Sequence, residues 1–298
     1  MALQRTAEHP MRLITICWLA LGVGLAVAQE TPPGHDLRAI YRYRAGDKVR
    51  ITERRDQRQE VRVRRGTQVE ERDGAREGLE QRYVLEVLEA TEGGDLVRAV
   101  RSYEALRLLG DQPREVPVEG LRVLLTRKDD GLKAVPEHGV ELPPELEALL
   151  AEIGDGSAAI EHTAVLFPEA PQAEGGTWTC DPADVAAALD LGFGRLEPES
   201  RAQGTLRSVT PRPGQAPLLR SEVEVALRAR EFNGLHATQP FTCDLRCTLE
   251  RPADGGDPAQ SVRVAGSLRG KAPSPAGDGT TLELEVDLEL SITREVLE

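Results

Sequence analysis

Residues 281–292 read Thr-Leu-Glu-Leu-Glu-Val-Asp-Leu-Glu-Leu-Ser-Ile, and their alternation decides the fold class. Leu282, Leu284, Val286, Leu288, Leu290 and Ile292 take every second place, with Glu283, Glu285, Asp287, Glu289 and Ser291 between them. A period of two sends the two sets to opposite sides of a β-strand, so this strand has one buried face and one wet face. At roughly 3.3 Å per residue it would run about 36 Å, which calls for a large, curved sheet.

The preceding segments read as its partners. Val223, Val225, Leu227 and Ala229 alternate on one strand, Phe241, Cys243, Leu245, Cys247 and Leu249 on the next, then Val262, Val264 and Leu268. Asn233-Gly234 invites a two-residue turn, but that register pairs odd with even positions and sets Val225 opposite Thr242. A three-residue loop, Phe232-Asn233-Gly234 with Gly234 left-handed, pairs Val225 with Phe241 and Val223 with Cys243 instead. This is the expected register, unless a bulge near Gln239-Pro240 resets it. Arg263 and Arg269 then face the acid row of the last strand, in exposed pairs worth about 1 kcal/mol or less each.

The first half is also a meander. Alternation from Leu37 through Ala39, Tyr41 and Tyr43 predicts a strand; Val49 with Ile51 and Val61 with Val63 predict two more. Tyr83, Leu85 and Val87 return through Gly93-Gly94 into Leu96–Leu106, and Leu121–Leu125 pairs with Leu132–Val135 around Asp129-Asp130-Gly131. Hairpins of this kind need no crossover helix, which excludes a doubly wound α/β enzyme fold. Between the halves the period changes. Leu146, Leu149, Leu150 and Ile153 follow Pro143-Pro144 at helical spacing, predicting an amphipathic helix over 144–153 that covers an open sheet face. Asp181-Pro182 caps a second short helix, Ala183–Leu191. Trp178 is expected as a core plug under a loop. The fold class is therefore mainly β (α+β): antiparallel meanders, curved or half-barrel, with one or two short covering helices. Residues 37–175 and 176–298 form its two halves, packed as one unit.

Ahead of them, Arg12 precedes an uncharged run, Leu13–Val27, closed by Ala26-Val27-Ala28. This is the pattern of a secretory signal peptide, residues 1–28, cleaved after Ala28, with 29–36 a flexible leader. The run is shorter than the ~20 residues of a membrane span, and no later segment is long and apolar enough, so the cleaved product is expected to be periplasmic or secreted. Removing residues 1–28 leaves 35 basic and 49 acidic residues, a balance that excludes a general nucleic-acid binder.

Three cysteines remain, and two readings stay open. Cys243 and Cys247 lie four apart on one strand and cannot bridge each other; either Cys180 pairs with Cys243 or Cys247, or all three are small buried thiols. Seven arginines crowd residues 50–65, among them Arg50, Arg54, Arg62 and Arg64, the candidate anion-binding residues. Glu53, Asp56, Glu60, Glu70, Glu71 and Asp73 interleave with them, so a solvated face laced with ion pairs is the expected state.

No motif for catalysis or phosphate binding is present. His35, His138, His162 and His236 are scattered without a second His or Cys at metal-ligand spacing. The loops at 253–257 and 276–279 lack the acidic ladder of a calcium site and read as plain turns. Glu161-His162-Thr163, with Asp155 and Ser157, has the residue types of a hydrolase without its pattern. No cofactor and no metal are expected.

Tyr41-Arg42-Tyr43-Arg44-Ala45-Gly46-Asp47, Leu142-Pro143-Pro144-Glu145-Leu146 and the Pro-x-x-x-Gly-Gly-x-Trp lead-in at Pro171–Trp178 carry a resemblance over residues 37–297. The layout resembles an uncharacterised family of exported bacterial β-rich proteins. Its architecture also looks like that of periplasmic lipoprotein carriers, whose curved sheet holds acyl chains, although this chain is only 3% aromatic. The resemblance implies an envelope protein that binds a partner or serves a structural role without catalysing a reaction. A carrier of a hydrophobic small ligand is the alternative, and a secreted hydrolase the second.

Overall fold

The strand that opens the chain's sheet and the strand that closes it lie side by side at its centre. The computed structural model describes residues 34–38, 42–128, 131–137, 165–189, 191–255, 260–275 and 277–297. Strand β1 (Lys48–Arg65) pairs antiparallel with β12 (Thr281–Val296) along sixteen positions, from Val49 opposite Val296 to Arg64 opposite Thr281. From β1 the chain walks outward through β2 (Gln68–Ala90), β3 (Leu96–Leu108), β5 (Arg122–Lys128) and β6 (Gly131–Pro136), with the short β4 (Arg114–Glu115) beside β3. It resumes at the opposite edge with β7 (Thr177–Cys180). It then walks back through β8 (Arg201–Arg212), β9 (Gln215–Phe232), β10 (Leu235–Pro252) and β11 (Gln260–Pro273) to β12. The result is one open, curved, antiparallel sheet of twelve strands. The last strand, sixteen residues long, is an interior strand with a partner on each side.

Val49–Ile51 and Val61–Val63, expected as two strands, belong to the single strand β1. The apolar alternation lapses between them because Arg55, Gln57 and Gln59 lie on the same face but are exposed, so that stretch has no core to fill. The described residues of the strand expected from Leu37 are not extended: residues 37 and 38 form a turn, Leu37 is fully buried, and Tyr43 is irregular, while 39–41 lie outside the described residues. Signal residues 1–28, the helix 144–153, Tyr41, Asp129-Asp130, His138 and residues 155–163 lie outside the described residues.

Asn233 and Gly234 do make the two-residue turn, with φ of 45° and 76°, so Leu235 faces Phe232 and His236 faces Glu231. Between His236 and Phe241 the register then slips, β10 covering five positions while β9 covers two. Pro240 sits in that slip, where its missing N–H costs the ladder nothing. The expected pairs Val225–Phe241 and Val223–Cys243 are thus replaced by Val225–Leu245 and Val223–Cys247, the same faces four residues further on.

Helix α1 (Pro182–Ala188) starts where Asp181 accepts a hydrogen bond from the Ala183 N–H at 2.8 Å, and proline occupies its first turn. Val185, its one buried residue, joins the core. Trp178 is buried, donates from Nε1 to the Leu166 carbonyl at 2.8 Å, and lies across Gly204, where a Cβ would come within 2.0 Å of the indole. Residues 165–172 thus lie over the inner face. Phe167 packs beside Trp178 and beneath the Arg251 guanidinium, Arg38 donates to the Phe167 carbonyl, and His35 bridges to Gln172.

Candidate functional site

The sheet's register assembles the inner face row by row. Across the centre, Cys247, Val264, Leu290, Arg55 and Leu79 line up; one row toward the end of β12 come Leu249, Val262, Ile292, Glu53 and Gln81. In the other direction follow Cys243, Leu268, Val286 and Gln59, then Phe241, Leu284 and Val61. The flanks of this face are sealed: Leu227, Cys243, Phe241, Val49 and Val123 are almost wholly buried. The middle is less so. Leu282, Leu284, Leu288 and Leu290 on β12, Val61 and Val63 on β1 and Val264 on β11 are half-buried, beside the exposed Gln57 and Gln59. A strip of aliphatic side chains therefore runs along the central strand pair with part of its surface open.

At one end of that strip the inner face turns polar. Arg101 on β3 falls in step with Ala99 and Tyr103, is 7% exposed, and lays its guanidinium 4.0 Å from the centre of the Tyr83 ring. Its Nη1 donates to the Tyr103 hydroxyl at 3.3 Å, and its Nε has no partner. Glu53 is also buried, bonded by Arg55 and by the Gln81 amide at 2.8 Å, while the Gln81 Oε1 has no partner. Arg294 continues the inner row of β12, with Tyr43 as its ring neighbour at 6.0 Å. Burial pushes the Tyr83 phenol up to about 12 and raises Tyr103, and it lowers Arg251 to about 10. Arg101 is legible in the sequence, because the strand period from Ala99 to Tyr103 passes through it, but no neighbouring charge in the sequence marks it out.

The arginines singled out from the sequence stand on the opposite face. Arg50, Arg54, Arg62 and Arg64 line the outer side of β1, and each meets a carboxylate: Glu104 and Glu295 for Arg50, Asp56 for Arg54, Glu60 for Arg62, Glu283 for Arg64. Arg263 and Arg269 meet Glu289 and Glu285. Hydrogen bonds from Arg76 and then Arg54 hold the Asp56 carboxyl down at about 2. Arg50 and Arg64 spend their donors on neighbouring strands, Arg54 and Arg62 on carboxylates of β1 itself.

Neither pairing of Cys180 is formed in the structure, where Cys180, Cys243 and Cys247 are free thiols. Cys180 on β7 stands three strands from β10, roughly 14 Å at ~4.8 Å per strand, against the ~7 Å that a bridge spans between Cα atoms. Its Sγ points to the Leu166 carbonyl, 3.4 Å away. Burial pushes the Cys243 and Cys247 thiols up to about 12. His35 and His236 lie far apart in the sequence, at a bridge and beside a hairpin turn. Among the described residues no three His, Cys, Asp or Glu side chains gather as a metal site, and no helix is long and apolar enough to cross a membrane.

Together these features define, among the described residues, a curved antiparallel β-sheet with a half-open aliphatic strip and a buried arginine at the end of it. No family model matches the chain, and no curated protein matches it. Among solved structures, one described as "Lipid-protein interactions in lipovitellin" is 9% identical, with a TM-score of 0.34 over 84% of this chain and 25% of that one. The chain spans about a quarter of that protein's length. The inner face is accordingly read from its own residues.

Proposed function

We propose that this chain is an exported, non-enzymatic binding module that holds an apolar ligand against the inner face of its sheet. The observation that carries this is the strip of Leu282, Leu284, Leu288, Leu290, Val61 and Val63, half-buried at the centre of a face whose flanks are sealed. Fully burying one such side chain is worth about 1.5–3 kcal/mol, so a face that leaves six of them partly wet has hydrophobic free energy still to gain from a ligand. The signal pattern at residues 1–28 supports delivery to the envelope or beyond, and the resemblance to exported bacterial β-rich proteins agrees with it.

Native mass spectrometry of the protein purified from its own source, followed by organic extraction, tests the reading. A co-purifying apolar mass is expected, along with saturable binding of a fluorescent fatty-acid probe that Leu284→Glu together with Leu288→Glu abolishes. Protein that arrives empty and binds no such probe sinks the proposal.

A further inference from the structure

The polar end of the inner face has more cationic than anionic character, and its donors are not all used. Arg101 is more than nine-tenths buried, yet among the described residues no carboxylate lies within 4 Å of its guanidinium; it has two tyrosine rings, one long hydrogen bond and an idle Nε. Arg294 likewise has a ring neighbour and an idle Nε and, among the described residues, no ion pair. Tyr83 lies between them, in the row Arg294–Ile51–Tyr83–Tyr103, and both guanidiniums act on its hydroxyl electrostatically. The one buried carboxylate here, Glu53, is already held by Arg55 and Gln81. A buried cation without an anion is expensive, and stacking on tyrosine offsets only part of that cost.

Direction matters as much as charge. On β12 the inner positions after Arg294 are Ile292, Leu290, Leu288, Val286 and Leu284, about 6.8 Å apart, so the half-open strip begins where the arginines end. A flat apolar ligand would use the strip and leave the arginines idle. A chain with a negative head uses both.

We propose that the ligand is a single-chain amphipath whose carboxylate or phosphate head is bound by Arg101 and Arg294 beside Tyr83, with its apolar chain laid along Leu290, Leu288 and Leu284. This rests on the binding reading above and adds the charge and polarity of the ligand. A head oxygen there would accept from the idle Nε of Arg101, forming a charge-assisted bond in a site where water competes poorly.

Isothermal titration of the wild-type chain with hexadecanoate, hexadecyl phosphate and methyl hexadecanoate, each below its self-association concentration, separates the two ideas. At least one of the two anions is expected to bind tenfold or more tightly than the ester, and the tighter anion identifies the head. Arg101→Met and Arg294→Met should each erase most of that preference while leaving the affinity for the ester within about threefold; Arg101→Lys should keep part of it. Arg294 is only half-buried, so its variant carries the test if Arg101→Met does not fold. Equal binding of anions and ester overturns the anion seat and leaves the apolar site standing. Failure of all three to bind overturns both.

Discussion

A methyl group placed at Gly270 is driven into the ring of Phe241. The Cβ would lie 1.8 Å from the Phe241 Cδ1, where carbon atoms in contact rest about 3.5–4.0 Å apart. The ring has little room to withdraw, since Phe241 is 1% exposed and is backed by Phe232, 5.6 Å away between centroids. Overpacking of a filled core costs about 1–3 kcal/mol, and expelling the ring altogether would forfeit a similar 1.5–3 kcal/mol of burial. Gly270→Ala is therefore expected to destabilise by about 2–3 kcal/mol in urea denaturation, although alanine in a strand is otherwise better than glycine by roughly 0.5–1 kcal/mol. Phe241→Ala alone should cost about 3–5 kcal/mol. With the ring removed the obstacle is gone, so adding Gly270→Ala to Phe241→Ala should cost nothing or recover a fraction. The cycle thus closes with a coupling of about 2 kcal/mol or more. Additive effects, within about 0.5 kcal/mol, would refute the placement of Phe241 over Gly270 and the β10–β11 register with it.

Asp56 should contribute to acid stability: its folded pKa is about 2 against an ordinary 3.8, so its stabilisation is complete above about pH 4 and disappears as pH falls toward 2. Asp56→Asn should flatten denaturant midpoints across that window, and an unchanged acid profile would count against the Arg76 and Arg54 bonds. The thiols give a simpler measurement. In a chain begun at Gln29, aromatic-disulfide reagent at pH 8 should leave Cys243 and Cys247 unmodified in the native protein and find three thiols once it is unfolded, whereas a count of one would establish a disulfide.

Which face each strand buries could be read from the sequence; which strand it pairs with could not. Alternation at 223–229, 241–249, 262–268 and 281–292 placed Leu227, Cys243, Leu268 and Val286 on one side, and the structure keeps them there. The same was true of the α1 start, since Asp181 and Pro182 act within one turn. The β9–β10 register was harder, because a turn specifies pairing only until the first bulge, and the slip between His236 and Phe241 begins two residues after it. The union of β1 with β12 leaves no local trace at all, since it joins residues more than two hundred positions apart. Clustering along the chain does not mark the candidate site either. Arg50, Arg54, Arg62 and Arg64 stand close together in the sequence and are bonded to carboxylates on the outer face, while Arg55 among them turns inward to Glu53. Arg101 and Arg294, far apart in the sequence, hold the idle donors at one end of the inner face.

The central seam gives the order of synthesis a physical meaning. Strand β1 is made more than two hundred residues before β12, and until the last strand arrives one of its edges has bare N–H and C=O groups along eighteen residues. A long unpaired edge invites joining with other chains, and the devices that prevent this are charges placed on the strand itself. Arg50, Glu53, Arg54, Arg55, Asp56, Arg58, Glu60, Arg62, Arg64 and Arg65 supply them, so the charge that brackets β12 in the finished sheet also guards its berth while that strand is still to come.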